Sequence, residues 1–328
     1  MRKPTRTLLF VALLMAALAV GLLIAKRWNR YRPVPEPSTN KFIARFLDVG
    51  QGDSELIQLP DNQNILIDSG EHGSPTVDLL KRYGVRTLNL VIATHPHSDH
   101  IGEMRDVMRS FKVDEFWDSG FNHPTKTYSD MLQEIHDRGI RYVTPKRGYS
   151  RQIGDATLDI LNPGASFLDD QPNDASIVVL MTYRQTKFLF TGDAEVPAWK
   201  QMISEEKEKL HCDVLKAAHH GSSNGTTEEI IEAVGPTLLT ISCGRGNDYH
   251  HPHPSVVRML ERQSSRINVY RTDLEGTVTA TSDGERIEVS VERPVVGNQL
   301  YLTGDEVAGK LGSGSEQHVR PARARAAR

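Results

Sequence analysis

Cysteine is almost missing from this chain, with Cys212 and Cys243 alone among 328 residues. That excludes a fold stapled by several disulfides. Both cysteines fall in strand or strand-adjacent contexts, which suits two buried thiols, a single bridge being open to them in an extracytoplasmic domain. No stretch recurs at a fixed period, so a repeat array is excluded too. Acidic residues are missing from both ends: residues 1–32 carry seven Lys and Arg, and residues 317–328 four Arg, with no acid in either stretch. The formal net charge of −3 therefore hides a strongly acidic body, which argues against indiscriminate tracking along phosphate backbones. Divalent ions held among carboxylates would reverse that field locally and keep nucleic acid open as a partner.

Charge is also absent from Leu8 to Ala25, an unbroken run of apolar residues and Gly. As a helix it would reach roughly 27 Å, near the bilayer core of about 30 Å. Basic residues flank both sides, so orientation is not set by charge. No small-x-small cleavage site follows, which favours an uncleaved anchor over a removed signal peptide, a cleaved segment giving a secreted protein. Residues 1–32 thus read as membrane anchor or signal segment, and 33–40, with Pro33, Pro35 and Pro37, as an extended Pro-rich linker.

With 38% hydrophobic and 25% charged residues, the remainder can bury a substantial core. Short apolar runs at 42–49, 55–59 and 64–68 read as a meander of strands, followed by a helix at 75–83 and a strand at 88–94. Helices are expected at 101–111 and 128–138, and a strand at 140–143. Further strands are expected near 156–161, 176–183, 187–191, 213–216 and 238–242, with helices near 196–210, 227–234 and 254–263. Two sheets with helices on their outer faces fit this order. After Leu302 large apolar residues nearly vanish, so 303–328 reads as a disordered basic tail.

The chemistry concentrates in Thr94-His95-Pro96-His97-Ser98-Asp99-His100, which directly follows an apolar strand. Neutral imidazoles and a carboxylate on one tight turn suit zinc or a similar divalent ion. Two later strands end comparably, one in Thr191-Gly192-Asp193 and one in Ala218-His219-His220-Gly221. Singly these are weak signals; together they describe ligands delivered at strand tips.

The ordered blocks NILIDSG, THPHSDH, LFTGD and LKAAHHGSS resemble the metallo-β-lactamase superfamily. With FLDVGQGDSELIQ, HPHPSV and YRTDLEGTV they are similar to the hydrolase domain of the ComEC competence protein family, over residues 42–291. The resemblance implies an α/β fold, an αββα four-layer sandwich, with residues 41–295 as the hydrolase domain. It implies two divalent metal ions, zinc or the harder manganese, with His95 and His97 on one, Asp99, His100 and His219 on the other, and Asp193 between. His220 is the second choice to His219. Asp68 would orient the histidine loop from behind. Many relatives carry a histidine shortly before TGD where this chain has Asn173 and Asp174, which would line the site instead. Asp99 and His251 would stand nearest the chemistry, with Asn247 and His253 beside them.

A hydroxide bridging the ions would serve as nucleophile without a serine or cysteine. The expected activity is a phosphodiesterase, with a DNA nuclease linked to uptake among the options. The domain would lie outside the cytoplasm, and a separate membrane channel partner would carry the strand, since one apolar span forms no channel. A hydrolase of cell-envelope esters, phosphorylcholine esters or lactones is the alternative. A metal-free binding module is the third reading.

Overall fold

Alternation along β1 (Phe42–Phe46) sets the first layer: Phe42, Ala44 and Phe46 point to the interior, leaving Ile43 and Arg45 on the opposite face. The computed structural model describes residues 41–166, 170–295 and 297–311 and the backbone of 325–326. The expected anchor, the linker at 33–40 and most of the basic tail lie outside these residues. Among the described residues no helix is long and apolar enough to cross a membrane.

The first half continues through β2 (Glu55–Gln58), β3 (Asn64–Ile67), α1 (Thr76–Arg82), β4 (Thr87–Leu88), β5 (Leu90–Ala93), α2 (Ser98–Ile101), α3 (Met104–Ser110), β6 (Lys112–Val113), β7 (Glu115–Asp118), α4 (Lys126–Asp137) and β8 (Arg141–Val143). The second half runs through β9 (Ser150–Ile153), β10 (Ala156–Asn162), β11 (Val178–Tyr183), β12 (Thr186–Phe190), α5 (Val196–Glu206), β13 (Val214–Lys216), α6 (Glu228–Val234), β14 (Leu238–Ile241), α7 (Pro254–Arg262) and β15 (Asn268–Arg271). It closes with α8 (Thr272–Glu275), β16 (Val278–Ser282), β17 (Ile287–Val291), α9 (Gly304–Leu311) and β18 (Arg325–Ala326).

One sheet has the order β18-β17-β16-β1-β2-β3-β5-β7-β8, the other β15-β14-β13-β12-β11-β10-β9. Three apolar clusters reveal the layering. The inner one joins Phe42, Phe46 and Trp117 of the first sheet to Met181, Phe188 and Phe190 of the second. An outer cluster seats α1, α3 and α4 on the first sheet through Leu80, Met108 and Met131. Another seats α5, α6 and α7 on the second through Trp199, Ile230 and Leu260. This is a mixed α/β fold with helices outside two facing sheets.

Within each sheet a parallel set, β3-β5-β7-β8 and β12-β13-β14-β15, delivers strand ends to one edge. Such ends are where α/β folds build sites.

Several local expectations need correction. The helix expected at 101–111 spans Met104–Ser110, after a separate short helix at Ser98–Ile101; Gly102 between them lies so close to the backbone of Glu71 and His72 that no Cβ fits. Strands β7, β9, β15, β16 and β17 had no place in the sequence reading. Both cysteines are free and buried, so no bridge joins them. The tail is ordered at its start: α9 buries Val307, the Gly304 N–H donates to the Pro252 carbonyl (3.2 Å), and Tyr301 packs on the outer cluster of the second sheet. One or two anchoring side chains suffice there, which a count of apolar residues overlooks.

Phe188 is fully buried, its ring centroid 4.7 Å from that of Phe42. Phe188→Ala should lower the unfolding free energy by about 3–5 kcal/mol in urea titrations; a loss under about 1 kcal/mol would contradict this account of the interface.

Candidate metal centre

The centre starts from Asp68, which ends β3 in a left-handed conformation (φ 55). Its buried carboxylate accepts the Thr94 N–H (2.8 Å) and hydroxyl (2.6 Å) and lies 2.7 Å from His100 Nδ1. With Nδ1 held from behind, His100 Nε2 turns inward, has no hydrogen-bond partner, and sits 3.3 Å from Asp193 Oδ2. Asp193 follows Gly192, whose φ of 49 and contact with Thr94 exclude a side chain: a Cβ there would lie 2.8 Å from Thr94 Cβ.

After β13, His219 (φ 50) and His220 (φ 53) are both left-handed, a costly arrangement that sends the two rings apart. His220 is buried with Nδ1 2.9 Å from the Ser242 carbonyl and Nε2 3.2 Å from Asp99 and 3.5 Å from Asp193. His219 is 22% exposed in its side chain, 3.7 Å from Asp193 and 2.9 Å from Glu195. One ligand atom from each of Asp99, His100, Asp193 and His220 lies within 4.8 Å of all the others. The turn gives His220 the buried inner position and leaves His219, the first choice of the sequence reading, partly exposed with Asp193 also in reach.

His95 and His97 adjoin this group, with His95 Nε2 3.9 Å from Asp193 Oδ2 and 3.0 Å from His97 Nδ1. His251 is buried beside it, its ring centroid 5.4 Å from His219 and 5.9 Å from His220.

The other candidates shape loops. Asp174 Oδ1 accepts the N–H groups of Glu195 (3.1 Å) and Ala198 (3.3 Å), capping the start of α5. Asn173 donates to Glu195 (3.0 Å), the carboxylate that meets His219. Asn247 donates to the carbonyls of Gly244 and His251 (both 2.8 Å), and His253 Nδ1 accepts the Ser223 N–H (3.0 Å). The His251 loop is also clasped by α9, through a 2.5 Å contact of His250 with Asp305.

Sequence reasoning missed two central residues. Lys216 and Asp53, both buried, form an ion pair at the core of the site; Asp53 reaches His220 Nδ1 (3.2 Å), and Lys216 donates to the Gly192 carbonyl (3.2 Å). A lysine inside the apolar run Val214-Leu215-Lys216-Ala217-Ala218 was the available signal.

Burial opposes every charge here, and partners decide the outcome. Against burial, Asp193 and Asp53 push His220 up to about 10. Asp193, Asp68 and Asp99 likewise hold His100 well above the imidazole range despite burial. Burial resists ionisation of Asp193 and Asp99, yet the facing imidazoles hold both below the carboxylate range. Burial and the charge of His100 push His95 well below its usual value, and burial with His220 and His219 drives His251 down to about 3. Glu55 is raised by burial and by Asp53.

These donors fit a divalent ion. The inward His100 Nε2 and Asp193 Oδ1 are buried without hydrogen-bond partners, and mixed imidazole and carboxylate ligation suits borderline metals. Facing sheets with imidazoles and carboxylates gathered at their strand ends define a metallo-hydrolase fold. The chain belongs to the metallo-beta-lactamase superfamily, whose sequence model matches residues 47–245.

Its curated relatives are of the ComEC kind, as the motifs indicated. Over 253 residues it is 33% identical to ComE operon protein 3 of Bacillus subtilis (strain 168), spanning 71% of this chain and 32% of that protein. It is 26% identical over 262 residues to Competence protein ComA of Neisseria gonorrhoeae, spanning 79% and 35%. The chain thus covers about a third of these relatives' length. Among solved structures, CmlA, a diiron beta-hydroxylase from Streptomyces venezuelae, matches with a TM-score of 0.50 and 15% identity over 76% of this chain and 55% of that one, a likeness of fold alone.

Because His220 titrates at about 10 in the folded chain against 6.5 ordinarily, its pairing stabilises metal-free protein fully below about pH 6.5 and ceases to do so as pH rises through about 10. Metal ligation requires neutral imidazoles, so zinc uptake near pH 7 should release about two protons, from His100 and His220. Calorimetry in buffers of different ionisation enthalpy reads this number, and His220→Ala should reduce it to about one. Uptake without proton release would contradict the charge states assigned.

Proposed function

We propose that this chain is a metal-dependent phosphodiesterase held at the membrane with its catalytic domain outside the cytoplasm, and that DNA is among its substrates. The observation that carries the hydrolase reading is the convergence of Asp99, His100, Asp193 and His220 from three strand ends, with His95 and His97 alongside. On this reading His95 and His97 would hold one divalent ion, Asp99, His100 and His220 the other, and Asp193 would serve both. When bound, such ions supply Lewis acidity and an ionised water near neutral pH, and a pair of them suits in-line displacement at phosphorus.

The chain's own groups do the positioning. Asp68 fixes the His100 ring and, through Thr94, the start of the histidine loop. Lys216 neutralises Asp53, which faces His220 from the side opposite Asp99. His251 stays neutral with Nδ1 unpartnered, free to accept a hydrogen bond from a water or substrate group at the site. Kinship with proteins named for competence supports DNA as a substrate. An uptake role would be shared with a membrane partner supplying the channel.

The test is turnover by the full chain loaded with zinc, manganese or magnesium, on bis-p-nitrophenyl phosphate, single-stranded DNA, a phosphorylcholine ester and a lactone. Chelator-sensitive cleavage of the two phosphodiesters is expected, and Asp68→Asn should lower kcat by about 10–100-fold. Turnover confined to the lactone or phosphorylcholine ester would reassign the substrate, and none at all would remove the proposal.

A further inference from the structure

Away from the metal centre, a cavity of about 310 Å³ opens on the outer face of the first sheet, where β1, β16 and β17 meet the end of α1. Among the described residues, the outer apolar cluster that seats the helices draws no member from β16 or β17. None of the metal-centre donors lines the cavity.

Its base is Arg45, which β1 places opposite Thr279. Arg45 is only 4% exposed, and among the described residues it forms no ion pair with a carboxylate. Its guanidinium bonds the neutral Gln58 amide oxygen and lies 4.3 Å from the Tyr83 ring centroid. A buried cation compensated only by an amide and an aromatic face is costly to keep.

The surrounding groups are suited to an anion. Arg82 adds a second guanidinium whose Nε is buried without a partner. Glu292, the one carboxylate on the wall, is already engaged on both oxygens, by Arg82 (3.3 Å) and by the Thr277 N–H (3.3 Å). Thr279, Thr281 and Ser290 bring hydroxyls to the same opening, with Thr279 and Ser290 cross-strand neighbours. Two cations, one tied carboxylate and a row of hydroxyls leave a net positive, donor-rich recess. Guanidinium forks with hydroxyls bind tetrahedral oxyanions well.

We propose that this cavity is a second ligand site, independent of metal, that binds a phosphate group through Arg45, Arg82 and the threonine hydroxyls. The volume exceeds that of a bare phosphate, so the natural ligand carries its phosphate on a larger body.

The experiment is calorimetric titration of inorganic phosphate into the chelator-treated full chain, repeated with Thr279→Val and Arg45→Gln. Binding is expected in the wild type, weakened at least about tenfold in both variants. Thr279→Val is near-isosteric at a half-buried strand position, so an unchanged melting temperature keeps the comparison valid even if Arg45→Gln folds poorly. No binding by the wild type, or equal binding by wild type and Thr279→Val, would overturn the assignment. Neither result bears on the phosphodiesterase reading, which requires metal.

Discussion

The Asp193 carboxylate lies 3.3 Å from His100 and 3.5 Å from His220, at a depth where an unpaired charge would cost several kcal/mol. Everything around it serves that constraint. Asp68 holds His100 from behind, Asp53 and Lys216 close the network below, and Asp99 approaches His220 from the other side. The result is a knot of four carboxylates and three cations whose inward donor atoms, His100 Nε2 and Asp193 Oδ1, lack hydrogen-bond partners. Such a knot is preorganised for a cation, since the ligands are already held and need only exchange protons for metal.

The fold makes this knot affordable to build because parallel strands from two sheets end together. Loops leaving β3, β5, β12 and β13 each carry one part, and backbone strain is concentrated where they meet. Asp68, Gly192, His219 and His220 are all left-handed, and the last two decide which imidazole faces inward. The aromatic interface between the sheets keeps the loops in register: displacing one sheet would part Asp193 and His220 from His100 and Asp99.

Much of this was legible in the sequence, for identifiable reasons. The dense His95–His100 loop and the strand ends at Asp193 and His219-His220 announce themselves by residue type after apolar runs. The choice between His219 and His220 was not legible, because it depends on two consecutive positive φ angles that no composition predicts. The role of Asp174 at the start of α5 was not legible either, because its contacts with the Glu195 and Ala198 N–H groups span 21 and 24 positions of chain. Asp53 and Lys216 escaped notice because their roles arise from each other across 163 positions of chain. The strands β16 and β17 were missed where Thr, Ser and Glu alternate with apolar residues, and the order at α9 rests on few apolar side chains, Val307 and Tyr301, beside polar contacts to Pro252 and His250.

The account stands or falls on whether Asp99, His100, Asp193 and His220 bind a divalent ion. Elemental analysis of the purified full chain, beside Asp193→Ala and His220→Ala variants shown by circular dichroism to be folded, asks this directly. The wild type should retain divalent metal through gel filtration while both variants lose most of it. A wild type that folds and stays free of metal when supplied with zinc or manganese would contradict the central claim.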